Sequence, residues 1–153
     1  MRIAIGGDHA GFPMKAPVVD LLQAWGHDVF DHGTNSTEPV DFPDIARLVC
    51  DDVKAGRVDR GIMVCGTGVG AAIAANKIPG IRASLSHDTY SAHQGVEHDD
   101  VNVICLGAQI LGLKLAEEIL KAFLDAEFST EDHFRRRVEK LSELERDAAR
   151  ELG

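Results

Sequence analysis

No stretch of this sequence approaches the ~18 consecutive apolar residues that a membrane-spanning helix requires. The opening Met-Arg-Ile-Ala-Ile-Gly-Gly-Asp has no signal-peptide apolar core and reads as the start of a strand. Cysteine is scarce, with Cys50, Cys65 and Cys105 forming an odd and widely spaced set. Such a set argues against a disulfide framework and fits reduced thiols in a cytoplasmic protein. Positive charge is also short: 16 Lys and Arg stand against 25 Asp and Glu, for a net charge of −9. That balance argues against nucleic acid and anionic membrane as partners. There is no internal repeat, low-complexity segment or linker, and 153 residues fit one domain, 1–153, with a core of its own. No Gly-Lys-Ser/Thr follows a glycine loop, so a Walker nucleotide site is excluded, and His-Glu-x-x-His does not occur.

What is present is a regular alternation. Short apolar runs at 2–6, 27–30, 62–64, 81–85 and 101–106 read as strands. Helical patterns at 13–25, 43–55, from the third strand's glycine loop to about 77, 87–96 and 112–126 read as the helices between and after them. Strands alternating with helices predict a five-stranded parallel, Rossmann-like sheet covered on both faces, an α/β/α sandwich. Residues 31–41 are rich in turn formers and read as a loop at the sheet's edge. A last helix, within 130–153, carries Phe134, Val138, Leu141, Leu144, Ala148 and Leu152 as one narrow stripe on a charged rod. Ser129 and Asp132 are spaced as its capping box. Such a stripe suits a partner subunit, and an isologous dimer is the expected solution.

The chemistry concentrates at 61–76, where Ile62-Met63-Val64 ends in Cys65 and then in Gly66-Thr67-Gly68-Val69-Gly70 before an Ala-rich helix. A strand emptying through small residues into a helix N-terminus leaves backbone N–H groups free for an anion. A thiol there, ordinarily titrating near ~8.5, is expected to move toward neutrality. Parallel sheets bind ligands beyond their C-terminal strand ends, which places Asp8, Cys65 and Ser86 together. The plainer alternatives are an inert buried thiol, as expected for Cys50 and Cys105, and an Asp8 that only caps the first helix.

Five motifs then carry a resemblance: Gly6-Gly7-Asp8-His9-Ala10-Gly11, Cys65-Gly66-Thr67-Gly68-Val69-Gly70, Ala75-Asn76-Lys77, Gly80-Ile81-Arg82-Ala83 and His98-Asp99-Asp100-Val101-Asn102. In this order they resemble the ribose-5-phosphate isomerase type B / galactose-6-phosphate isomerase (LacAB) family along essentially the whole chain. The resemblance implies an aldose–ketose isomerase without metal or cofactor, and a homodimer or tetramer with shared active sites. Ribose 5-phosphate and ribulose 5-phosphate lead as substrates, through a cis-enediolate. That chemistry needs a base, for which Cys65 stands, and donors to the enediolate, for which Thr67 and the amides of Gly66, Gly68, Val69 and Gly70 stand. The resemblance makes His98 the ring-opening acid, puts Asp8, His9 and Asp99 on the sugar, and puts Arg137 on the phosphate.

Two positions depart from the family pattern. His133 stands where the first arginine of the C-terminal motif is expected, and Gln109 where Gly-Ala-Arg is usual. Both remain substrate-binding positions, yet two positive charges are missing from a site for a dianion. Arg135 or Arg136 compensates, or the substrate is a tetrose or hexose phosphate, or a sugar without phosphate. Two rival functions stay open beside this one. Gly66-x-Gly68-x-x-Ala71 with Asp88 about 20 residues on formally matches a dinucleotide fingerprint, as in a flavodoxin-like binding module. The seven histidines raise a metal-dependent hydride shift, but His93 and His98 are five apart and share no helix face.

Overall fold

The computed structural model spans residues 1–153. Its order is β1 (Arg2–Gly7), α1 (Phe12–Ala24), β2 (Asp28–Asp31), α2 (Phe42–Lys54), β3 (Arg60–Cys65), α3 (Val69–Asn76), β4 (Ala83–Leu85), α4 (Thr89–Asp99), β5 (Val103–Gly107), α5 (Leu113–Asp125) and α6 (Asp132–Leu152). The strands form one parallel sheet in the order β2-β1-β3-β5-β4. The expected α/β/α sandwich is therefore present.

The central strands explain their own composition. Ile3–Gly7, Gly61–Cys65 and Val103–Gly107 are buried at every position, because helices cover both faces of the sheet and no face is left for polar residues. One core lies under α1, α4 and α5, around Leu22, Ile62, Leu106, Ile119 and Phe123. The other lies under α2 and α3, around Val49, Met63, Ala71, Ala75 and Cys105. Edge strands β2 and β4 are short and partly exposed.

Several local expectations are corrected. β4 begins at Ala83 rather than at residue 81. Asn102 Oδ1 takes the Arg82 N–H at 2.8 Å, and the Asn76 amide pairs with both backbone groups of Ala83. Side chains thus occupy part of the backbone that an edge strand leaves free. Helix α4 runs on to Asp99, ending where Asp100 turns left-handed at φ 50°, so His98 lies in its last turn. The Ser129/Asp132 capping box does not form. Ser129 N–H is held by Glu97 O at 2.9 Å, its hydroxyl accepts from Glu131 N–H at 3.1 Å, and α6 starts only at Asp132.

Helix α6 buries none of its residues. It stacks Phe134 on His98 at one end, and Glu145 accepts from Gly80 N–H at 3.0 Å at the other. From Leu141 to Leu152 its stripe overhangs a cavity of about 700 Å³ with Ile81 and Val101 on the opposite wall. Leu144 and Leu152 remain 67% and 91% exposed. No helix is long and apolar enough to cross a membrane.

Candidate active site

The strand order brings together residues that are distant in the chain. β1 and β3 are neighbours, with Gly7 opposite Val64, so Asp8 and Cys65 emerge side by side at the C-terminal edge. Connections from these two strands leave in opposite directions, and such a switch point opens a crevice. Gly11 allows the start of α1 to press into it, since a Cβ there would lie 1.9 Å from Val64 O. Gly68 does the same for the loop after Cys65. It is left-handed at φ +82°, and a Cβ would meet Leu85 Cδ1 at 2.6 Å.

Asp8 is buried and does two things at once. Its Oδ1 accepts the N–H groups of Ala10 and Gly11 at 3.0 and 2.9 Å, which holds the turn before α1; the N-cap position itself is Gly11, so Asp8 is not the helix cap the sequence allowed. Its Oδ2 accepts the Cys65 thiol at 3.4 Å. Burial, then the charge and hydrogen bond of Asp8, push the Cys65 thiol up from its ordinary value. The backbone amides of Gly68 and Gly66 pull the other way and are outweighed. The expected shift toward neutrality is overturned: the glycine loop favours the thiolate, but desolvation and a facing carboxylate oppose it more strongly.

Around this pair, Thr67 is exposed on the rim, and its Oγ1 accepts from Val69 N–H at 3.3 Å. Gln109 folds beside the loop, its backbone N–H donating to Gly66 O at 3.0 Å. His9 lies next to Asp8 with Nδ1 accepting from Val40 N–H at 3.2 Å. Sequence reasoning missed His87, whose Nε2 accepts from Gly107 N–H at 3.2 Å directly behind Thr67. The signal was there in outline, because Ser86 marks the end of β4 and His87 is its neighbour.

His98, Asp99, His133 and Arg137 are elsewhere. Helix α4 leaves the C-terminal end of β4, and its 11 residues run back over about 16 Å, so His98 lies at the end of the sheet where β5 begins. There it stacks on Phe134 with centroids 4.0 Å apart; the His133 ring lies 4.1 Å from that same Phe134 ring and the Arg137 guanidinium 5.8 Å from it. Arg135 is occupied by Ser129 O at 3.0 Å and by the Phe128 ring, whereas Arg136 makes no hydrogen bond or ion pair. The residues expected at the site thus fall into two groups at opposite ends of the sheet.

The rival readings find little footing. Asp88 spends its carboxylate on the N-terminus of α4, accepting from Ser91 N–H at 2.6 Å. No three His, Cys, Asp or Glu side chains converge to hold a metal ion. Cys50 and Cys105 are fully buried, and burial pushes Cys50 up to about 12 and Cys105 higher still.

These states predict a labelling pattern. In the folded protein iodoacetamide modifies Cys65, which is 8% exposed, and spares the other two thiols until denaturation. Because the Cys65 value is raised, its alkylation rate keeps climbing as pH rises above neutrality. In Asp8→Asn two of the three raising causes are gone, and the midpoint moves to lower pH. An unchanged midpoint would remove Asp8 from this account.

A thiol, a carboxylate and a glycine-built set of amides at the switch point of a parallel sheet define an α/β enzyme equipped to move a proton on a small ligand. Residues 3–141 match the family model described as Ribose/Galactose Isomerase. The chain belongs to that family and is an aldose–ketose isomerase. It is 44% identical over 144 residues to ribose-5-phosphate isomerase B of Escherichia coli, covering 94% of this chain and 96% of that protein. It is 45% identical over 130 residues to D-erythrulose-4-phosphate isomerase of Pectobacterium atrosepticum, covering 84% and 85%. The structure of Clostridium thermocellum ribose-5-phosphate isomerase B superposes with a TM-score of 0.94 at 44% identity, over 97% of this chain and 99% of that one.

Proposed function

We propose that the protein interconverts ribose 5-phosphate and ribulose 5-phosphate through a cis-enediolate. The observation that carries this is the Cys65 thiol hydrogen-bonded to Asp8 at the mouth of the glycine loop. In the aldose-to-ketose direction the Cys65 thiolate takes the proton from C2, and the electron pair of that C–H bond becomes the C1–C2 double bond. As that double bond forms, the C1 carbonyl pair moves onto O1. The proton of the O2 hydroxyl then passes to O1, the C2–O2 carbonyl forms, and the Cys65 thiol returns its proton to C1, so the base is regenerated and no net redox change occurs. Thr67 Oγ1 and the amides of Gly66, Gly68 and Gly70 lie where the enediolate oxygens develop charge. Asp8 and His9 hold the sugar.

His98 of the partner subunit donates the proton that opens the ring, and Arg137 of the partner subunit faces the phosphate. The opposite placement of the two groups supports this. One chain cannot close the site on itself, whereas a twofold partner presents its lower end to the other chain's upper end. The uncovered α6 stripe and the cavity beneath it suit the same homodimer, alone or within a tetramer.

Gln109 favours a second reading, a tetrose phosphate, because it brings a neutral amide where the family pattern has an arginine. The relative named D-erythrulose-4-phosphate isomerase supports it as well. A panel of pentose, tetrose and hexose phosphates beside the free sugars separates these substrates. Ribose 5-phosphate is expected to give the highest kcat/KM, and a free sugar in that place would overturn the reading. Gln109→Arg is expected to lower KM for phosphorylated substrates about tenfold, the worth of one charge-assisted contact.

A further inference from the structure

Lys15 is the only buried cation of the protein, 3% exposed in the first turns of α1, and the chemistry above does not use it. Its Nζ donates to both oxygens of Asp31 at 2.8 and 2.6 Å and to Asn35 Oδ1 at 3.4 Å. Replacing such a pair by apolar residues is often neutral for stability, so its presence points to something other than holding the core together. What it does hold is the segment that follows β2. Asp31 Oδ1 also accepts from Gly33 N–H at 2.8 Å. Gly33 and Thr34 then bond to both backbone groups of Gly7 at the end of β1.

The far end of that segment reaches the active site. Val40 N–H donates to His9 Nδ1 at 3.2 Å, which assigns the ring proton to Nε2. Two residues on, the Phe42 ring covers Gly70, where a Cβ would meet it at 2.8 Å. Residues 31–42 are therefore a strap anchored at Lys15, laid over the end of β1, and closing on His9 and the N-terminal turn of α3.

We propose that Lys15 is a positioning residue. Through Asp31 and Asn35 it fixes the strap, and through Val40 N–H it fixes the tautomer and place of His9, which then presents Nε2–H to the anionic end of the substrate. The last clause rests on the assignment of His9 to the substrate made above.

The test reads the two halves separately. Nitrogen-15 NMR of the His9 imidazole, assigned by comparison with His9→Ala, is expected to show the Nε2–H tautomer in the wild-type protein. In Lys15→Met it is expected to average toward both tautomers. Lys15→Met/Asp31→Leu, which leaves no orphaned buried charge, should do the same if the single variant folds poorly. An unchanged tautomer in the folded variants overturns the proposal.

With ribose 5-phosphate, KM is expected to rise about tenfold with kcat within about twofold of wild type. In a His9→Ala background the same substitution should add less than about twofold, since the two act through one contact. Full additivity overturns the positioning role. A lost tautomer with an unchanged KM overturns the assignment of His9 to the substrate, and with it the substrate half of the proposal.

Discussion

Cys65→Ala is expected to lower kcat for ribose 5-phosphate by about 10³-fold, within the range that a positioned base contributes. Folding should be largely unaffected, because the change removes a single sulfur atom from the buried end of β3 and keeps the Cβ. Thermal unfolding and size-exclusion elution check that point. Wild-type kcat/KM should rise with pH from neutrality into the alkaline range, following the thiolate of a group whose value burial and Asp8 have raised. Near-normal turnover in Cys65→Ala would remove the thiol from the mechanism, whatever the substrate proves to be.

Chains carrying Cys65→Ala and chains carrying His98→Asn, each inactive or nearly so alone, are expected to regain activity when refolded together. The reason is geometric: α4 carries His98 to the end of the sheet opposite Cys65, so in the proposed dimer the two serve different sites. A mixed dimer has one site with both defects and one with neither. Random pairing makes half the dimers mixed, and about a quarter of all sites are then intact. No recovery, with subunit exchange shown by differently tagged chains, would mean that each chain builds its site from its own residues.

Much of this was legible in the residues. Strands β1, β3 and β5 announce themselves as continuous apolar runs because both faces are covered. The glycine loop after Cys65 stands out as a candidate site because glycine at Gly68 lets the loop lie so close to β5. What the chain alone did not reveal depends on strand order. Asp8 was read as a helix cap or a sugar contact, and it is also the acceptor of the Cys65 thiol. That follows only from β1 lying beside β3. Strand order is a tertiary outcome that local periodicity does not encode.

The direction of the Cys65 shift was missed for a related reason. A helix N-terminus is visible as a glycine pattern, whereas burial and a facing carboxylate come from segments more than fifty residues away. Lys15 carries no signal of its own in the sequence, since nothing in its neighbours shows that α1 turns it inward toward Asp31. His133 and Arg137, by contrast, were readable as a group, and the structure does gather them around Phe134 with His98. Where they were expected to act, across a subunit boundary, depends on an assembly rather than on the fold of one chain.

The Asp8–Cys65 hydrogen bond has a consequence for the lifetime of the enzyme. Oxidants such as hydrogen peroxide attack the thiolate, and the thiol is far less reactive. A site whose burial and neighbouring carboxylate keep sulfur protonated between turnovers exposes little of the vulnerable form. Modest reactivity in the resting state is therefore also chemical protection. The residue proposed as the base is thereby held in its less reactive form.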